Sequence, residues 1–215
     1  MKNRVVLLGP PATGKGTQAA MISAAFGIPS ASTGAILREE SRRGTQLGTQ
    51  AAQWISQGRL LPDELVLAVV RTWLGEKKRF IMDGFPRTIG QARSFDSELQ
   101  RRSLPLDCVY FLELSEEVIR ERMLTRLTCR SCGAVFNETF HHVTPETLCP
   151  NCGGVLHRRA DDTPEALEKR LAEYRELTLP VADYYRKSGI LRSVDAAPGR
   201  DAVFHTLHED MKEAA

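Results

Sequence analysis

The chain has 215 residues, 42% of them hydrophobic and 26% charged, with a net charge of +2. That length suits one domain with insertions, or two, and so weak a charge speaks against a dedicated nucleic-acid binder. No apolar run approaches the ~20 residues that cross a bilayer, and no secretory leader is read ahead of Val5, so a cytoplasmic protein is expected, with its cysteines as metal ligands or core residues before disulfides.

Val5-Val6-Leu7-Leu8 predicts a first strand, and the stripe Ala19, Ile22, Phe26 predicts a helix. Between them lies Gly9-Pro10-Pro11-Ala12-Thr13-Gly14-Lys15-Gly16-Thr17. A strand, a glycine loop and a helix are the context of a phosphate-binding P-loop. Such a loop turns its N–H groups inward, and the helix adds its free N–H groups and the positive end of its dipole. Lys15 would reach the outer phosphates as a point charge. The residue after Lys15 is Gly16 rather than Ser or Thr, so Thr17 must supply any hydroxyl.

A second strand is expected at Ile28–Ser32, with Thr33 capping the helix that follows. Helices are expected over about 45–56 and 62–75, the latter opening on Pro62 with Asp63 and Glu64 at its positive end. Arg79–Met82 is a third strand, ending at Asp83-Gly84, and a helix runs from about Thr88 to Arg101. Cys108–Leu114 is a fourth strand, almost continuously apolar as a central parallel strand should be. Ser115-Glu116-Glu117 caps the next helix. Residues 128–162 change character, with turn formers and no long helix. Thr163-Pro164 restarts a long helix with the stripe Leu167, Leu171, Tyr174; Ile190–Val194 is a fifth strand, and a last helix covers about 200–213. Alternating strands and helices predict an α/β P-loop fold: a five-stranded parallel sheet flanked by helices, with 128–162 inserted.

The insertion holds Cys129-x-x-Cys132 and Cys149-x-x-Cys152, sixteen residues apart. Two tight turns with two thiolates each make a tetrahedral soft site. Four protein ligands close it, so its role is structural, and zinc is the expected ion. Gly133, Gly153 and Gly154 follow the pairs, where a knuckle calls for positive φ. Two disulfides or four free thiols are the weaker readings. His141, His142 and His157 read as loop residues, since four cysteines saturate zinc, and Cys108 reads as core. The metal would stabilise a segment with little core of its own.

Asp83-Gly84-Phe85-Pro86-Arg87-Thr88 stands at a strand's C-terminal end, where open α/β sheets bind ligands. An acid there can hold Mg²⁺, directly or through water, and Arg87 can clamp a phosphate. Arg38 lies one turn into a helix after a strand, and Arg122 and Arg126 share a helical face before the insertion. Arg158-Arg159 closes the insertion, and Arg170 lies on the helix beyond. Each alone reads as a surface charge. As a set at strand ends and hinges they suit phosphoryl transfer, which is positioning plus cationic stabilisation.

G-x-P-x-x-G-K-G-T-Q (Gly9 to Gln18), S-T-G-x-x-L-R (Ser32 to Arg38), D-G-F-P-R-T (Asp83 to Thr88) with Gln91, and D-D…R-L-x-x-Y (Asp161 to Tyr174) resemble the adenylate kinase family. The resemblance covers essentially the whole chain, and the insertion resembles the long zinc-bearing lid of many bacterial members. It implies Mg²⁺-dependent conversion of ATP and AMP to two ADP. It implies a core at 1–31, 62–124 and 163–215, an AMP-binding segment at 32–61 and a lid at 125–162. By the same resemblance, Ala12, Thr13, Gly14, Lys15, Gly16 and Thr17 hold the ATP phosphates, with Val135, Phe136 and Pro198 as further ATP contacts. Arg122 would stack on the ATP adenine. Thr33, Arg38, Arg59, Leu60, Leu61, Gly84, Phe85, Pro86, Arg87 and Gln91 would hold AMP. Lys15, Arg38, Arg87, Arg126, Arg159 and Arg170 would grip the phosphates during transfer, and Asp83 would serve Mg²⁺, through water. The partners implied are ATP, AMP and ADP, with no nucleic acid or membrane, and a monomer is expected.

Some positions depart from the family pattern. Ala12 replaces a usual glycine, and Ala35 stands where the family has a carboxylate, so closure is either less favoured or held by Glu39. Ala196 and Pro198 replace a usual Gly and a frequent Lys near the adenine, leaving backbone carbonyls for contact. Two other readings compete: a sibling kinase acting on UMP or CMP, and a non-catalytic nucleotide or nucleic-acid-binding zinc protein. Against the last, no Lys or Arg lies between Arg130 and the second cysteine pair, which Glu138 and Glu146 precede.

Overall fold

The computed structural model describes residues 1–56, 61–158 and 162–213, apart from the side chains of Arg38 and of residues 52–56. The expected site residues Arg59, Leu60 and Arg159, and Asp161 of the D-D pair, lie outside the described residues, as does the side chain of Arg38.

The chain opens on β1 (Arg4–Leu8), whose last four residues are fully buried. The glycine loop leads into α1 (Lys15–Phe26). Next comes β2 (Ser30–Ser32), shorter than expected: Ile28 is buried, but the ladder begins at Ser30 opposite Ile81. Ser32, not Thr33, caps α2 (Thr33–Arg42), its hydroxyl accepting from the Ala35 N–H at 3.2 Å. Thr33 is instead the first helical residue and is buried. Both residues can cap, and the extended backbone of Ser32, with φ −104° and ψ 152°, puts it in the cap position. Then follow α3 (Gln46–Ser56), α4 (Asp63–Leu74) and β3 (Phe80–Asp83). The Thr88 hydroxyl caps α5 (Ile89–Arg101), and Ser115 caps α6 (Glu116–Leu124), which follows β4 (Cys108–Glu113).

The inserted segment carries β5 (Arg126–Cys129), β6 (Val135–Asn137), the single turn α7 (Glu138–His141) and β7 (Leu156–His157). Thr163 caps α8 (Pro164–Glu173) as expected. The single long helix expected there is broken differently: α8 passes through a π-helical turn, Tyr174–Thr178, into α9 (Leu179–Lys187). The chain ends with β8 (Leu191–Asp195) and α10 (Arg200–Lys212).

The large sheet has the order β2-β3-β1-β4-β8, and all its pairings are parallel. Alternation along the strands divides the core into two layers. Val6, Leu8, Phe80, Met82, Val109 and Phe111 face α4, α5 and α9. Val5, Leu7, Ile81, Cys108, Tyr110 and Leu112 face α1 and α10. Each fully buried side chain contributes about 1.5–3 kcal/mol, so the sheet is a rigid base for the loops at its C-terminal edge. The chain crosses from one side of β1 to the other between β3 and β4, and such a switch point opens the crevice where α/β sheets take ligands.

Candidate active site

The glycine loop leaves β1 at that switch point. Gly9 has φ 141°, and a β-carbon there would lie 2.4 Å from the carbonyl oxygen of Leu112. Only glycine lets the loop press against β4 in this way. Ala12 also has positive φ, at 59°, and takes it without being glycine. No side chain caps α1, whose first N–H groups therefore face the loop. Thr13 is buried, and its hydroxyl donates to the Pro10 carbonyl at 3.0 Å.

Lys15 folds into the loop. Its Nζ donates to the carbonyls of Gly9 at 2.9 Å and Pro10 at 2.6 Å, and to the Thr13 hydroxyl at 3.3 Å. Burial lowers its pKa to about 8; Arg87, Arg170 and Arg126 push the same way, and Asp83 opposes them. Asp83 lies opposite Leu7 in the ladder. A β-carbon on Gly16 would stand 3.1 Å from its Oδ2, so the carboxylate lies against the start of α1. Burial raises the Asp83 pKa despite the pull of Lys15 and Arg87. Its oxygens lie where they could serve a cation beside the loop.

Beyond Asp83 the chain turns through Gly84, with Phe85 fully buried against Phe95, ring centroids 5.1 Å apart. Arg87 is exposed, and its Nε donates to the Gly84 carbonyl at 3.0 Å. Gln91 is buried, with its amide held between the Arg87 N–H and Asp63. Leu61 packs partly buried against the core layer that includes Phe85.

At the base of the insertion, Arg126 makes a two-pronged ion pair with Asp162, whose side chain is 1% exposed; its Nε donates at 2.8 Å. Arg170 lies 3.9 Å from the same carboxylate. Asp162 thus orients two of the expected phosphate ligands, a role sequence reasoning missed, because an acid before a Thr-Pro helix start reads as part of the cap. Lys15, Arg87, Arg126 and Arg170 converge with Asp83 and Asp162 between them. Four cations share two carboxylates here, so the site keeps an excess of positive charge that favours an anion.

A second region lies at the end of β8. Arg122 donates to the Ala196 carbonyl at 3.1 Å, and its guanidinium sits 5.6 Å from the Phe140 ring centroid. Burial lowers its pKa. Pro198 is exposed close by in the chain. Val135 is exposed, but Phe136 packs inside the insertion with Leu127, Val143 and Leu156, so its side chain faces the insertion's own core. Glu39 is exposed and paired with Arg42 on its own helix, 2.8 Å away.

The four insertion cysteines have their sulfurs within 4.8 Å of one another. Cys129 and Cys152 are 3.5 Å apart, Cys132 and Cys149 3.7 Å. Those separations suit a tetrahedral ion with bonds of about 2.3 Å to each sulfur. The backbone N–H of Cys132 helps lower the Cys129 pKa to about 6, toward the thiolate a metal needs. Gly133 and Gly153 take positive φ, 73° and 72°, as a pair of knuckles requires. Gly154 does not: a β-carbon there would lie 2.4 Å from the Ser131 hydroxyl, so close approach is its reason. Cys108 is buried in β4, and burial pushes its thiol up to about 11, as befits a core residue.

A half-buried lysine folded into a glycine loop, with arginines from three other segments nearby, marks a phosphotransferase of the P-loop class. The family model described as adenylate kinase matches residues 7–190. An adenylate kinase of Archaeoglobus fulgidus is 41% identical over 206 residues, spanning 94% of this chain and 95% of that protein. Those of Thermodesulfovibrio yellowstonii and Methanosarcina barkeri are also 41% identical, over 95% and 98% of this chain and 96% and 99% of theirs. The chain belongs to the adenylate kinase family.

Proposed function

We propose that this adenylate kinase moves the terminal phosphoryl group of ATP to AMP, giving two ADP. The observation that carries the reading is that Arg87 and Lys15 both reach the Gly84 turn, each 3.8 Å from where a β-carbon on Gly84 would stand, while Arg126 and Arg170 share the Asp162 carboxylate. An AMP phosphate oxygen forms the new bond to the γ-phosphorus as its bond to the β,γ-bridging oxygen breaks, and the ADP leaving group keeps that electron pair. No side chain need act as nucleophile. Lys15 exchanges its carbonyl contacts in the loop for ATP phosphate oxygens. Arg126 and Arg170, aligned by Asp162, and Arg87 neutralise the charge that spreads over the equatorial oxygens. Arg38 and Arg159 join them in this reading. Arg122, with the backbone near Ala196 and Pro198, takes the ATP adenine, while Thr33, Leu61, the Gly84–Arg87 turn and Gln91 take AMP. Asp83, beside the start of α1, would be the acid to hold Mg²⁺, which when bound with ATP would supply charge neutralisation at the phosphates.

The residues fall into a core of 1–31, 62–124 and 163–215, an AMP-binding segment of 32–61 and a lid of 125–162. Closure of the last two over the core keeps water from taking the phosphoryl group. The lid ion is zinc, held by Cys129, Cys132, Cys149 and Cys152. The protein works as a cytoplasmic monomer; among the described residues no helix is long and apolar enough to cross a membrane.

The test is formation of ADP from ATP with a panel of nucleoside monophosphates. AMP is expected to be turned over fastest. Faster turnover of UMP or CMP would replace the acceptor, and no ADP with any monophosphate would overturn the reading.

A further inference from the structure

Asp63 opens α4, where an acid favours the helix dipole, but its carboxylate also reaches across to the loop after β3. Its Oδ2 accepts from the Thr88 hydroxyl at 2.7 Å and its Oδ1 from the Gln91 Nε2 at 2.6 Å. A β-carbon on Gly90 would lie 3.1 Å from Oδ2, so the turn of α5 is shaped to admit the carboxylate. On the far side of Gln91, Oε1 accepts the Arg87 N–H at 2.8 Å.

A carboxylate only accepts and a backbone N–H only donates. Asp63 and Arg87 therefore allow the Gln91 amide one sense: nitrogen toward Asp63, oxygen toward Arg87. Among the described residues these bonds leave one amide hydrogen and one Oε1 lone pair unused. An amide held this way offers a donor and an acceptor side by side in a fixed order. Adenine, with an amino group next to a ring nitrogen, matches such a pair. Guanine carries a carbonyl where adenine carries its amine, so it sets acceptor against acceptor.

We propose that Asp63 is a positioning residue for base selection: by fixing the Gln91 amide it makes the acceptor site prefer an adenine over a guanine monophosphate. Asp63 acts through Gln91 and need not touch the nucleotide. The inference rests on the reading above, in which the loop after β3 holds the acceptor.

The test compares wild type, Asp63→Asn and Gln91→Leu, varying AMP or GMP at saturating ATP. An asparagine keeps the shape but can turn its own amide nitrogen toward Gln91, so one of the two restraints is lost and the Arg87 N–H alone holds the order of the Gln91 amide. In Asp63→Asn the KM for AMP and the preference for AMP over GMP in kcat/KM should each change about tenfold, the first up and the second down. Its kcat and its KM for ATP should stay within about twofold, since a positioning role at the acceptor base touches neither. Gln91→Leu should raise the KM for AMP. If it does not, the loop does not read the base, and the acceptor assignment falls together with this proposal. If it does, but Asp63→Asn keeps wild-type KM for AMP and wild-type preference, the proposal alone is overturned. A loss of kcat in Asp63→Asn with KM and preference unchanged overturns it too, as a merely structural effect. A readout on the unmodified protein is hydrogen exchange at the Gln91 side-chain amide by NMR: one protected hydrogen is expected, and two freely exchanging ones would contradict the proposal.

Discussion

Lys15 is where electrostatics and function pull in opposite directions. Burial and three arginines lower its pKa to about 8, so the protein holds an ammonium close to losing its proton. An arriving anion reverses the balance by restoring the missing counter-charge. Because kcat/KM reports free-enzyme ionisations, kcat/KM for ATP should fall as pH rises past about 8. Stability should move the other way. The unfolded lysine, with a pKa of 10.5, binds more protons than the folded one between about 8 and 10.5, so this group's contribution to stability rises across that window. In Lys15→Ala the alkaline limb should vanish, with kcat down by roughly 10²- to 10³-fold or more and the thermal midpoint within about 4 °C of wild type. A mutant retaining near-normal kcat would remove the loop from the mechanism. Ala12 shows a second local tension. Its left-handed backbone costs about 1 kcal/mol relative to glycine, which the loop tolerates because Gly9 and Gly14 carry the tighter demands.

At the scale of elements, the lid and the α8–α9 helix depend on neighbours rather than on themselves. Among the described residues of the inserted segment, a small apolar group, Leu127, Phe136, Val143 and Leu156 with the partly buried Ala134, packs beside two cysteines. Each such side chain contributes about 1.5–3 kcal/mol, against ~1–2 kcal/mol of backbone entropy for every residue ordered. In the proposed reading, metal binding by the four sulfurs supplies the rest. Metal analysis should therefore find about one zinc per chain, and chelation should lower the thermal midpoint while altering the chemical step little; a metal-free protein of unchanged stability would contradict this. The π turn matters differently. It carries Thr178, whose hydroxyl donates to the Arg87 carbonyl at 3.3 Å, linking the helix of Arg170 to the loop of Arg87. The four-cysteine spacing and the strand-loop-helix start were legible in the sequence because they are local patterns. The π turn was not, since Leu167, Leu171 and Tyr174 keep an ordinary helical stripe through its start. The small antiparallel sheet of the lid was hidden because β6 and β7 have only three and two residues, too few to show a period. Asp63 and Asp162 read as helix-start acids, and only the folded chain reveals what their carboxylates hold.

Across the whole molecule, a rigid parallel sheet presents Lys15 and Asp83 from its centre, while Arg87 comes from the loop after β3, Arg126 from the root of the inserted segment and Arg170 from α8. Arg126 stands at the start of β5, where the inserted segment leaves the core, and its carboxylate partner Asp162 stands where the chain returns. In the proposed reading, motion of the inserted segment would carry Arg126, one of the proposed phosphate ligands, with it. Arg158 strengthens the same root, donating to Glu138 at 2.6 Å and to the Leu124 carbonyl. In the proposed reading this charge gathers around phosphates contributed by two nucleotides at once. A crystal structure with a dinucleotide in which two adenosines are joined by five phosphates tests it most directly. Lys15, Arg38, Arg87, Arg126, Arg159 and Arg170 are expected around the phosphate bridge at about 2.7–2.9 Å, with one adenine beside Arg122 and the other beside Gln91. Guanidinium groups turned to solvent under a closed lid, or a single adenosine bound with the other left outside, would contradict it.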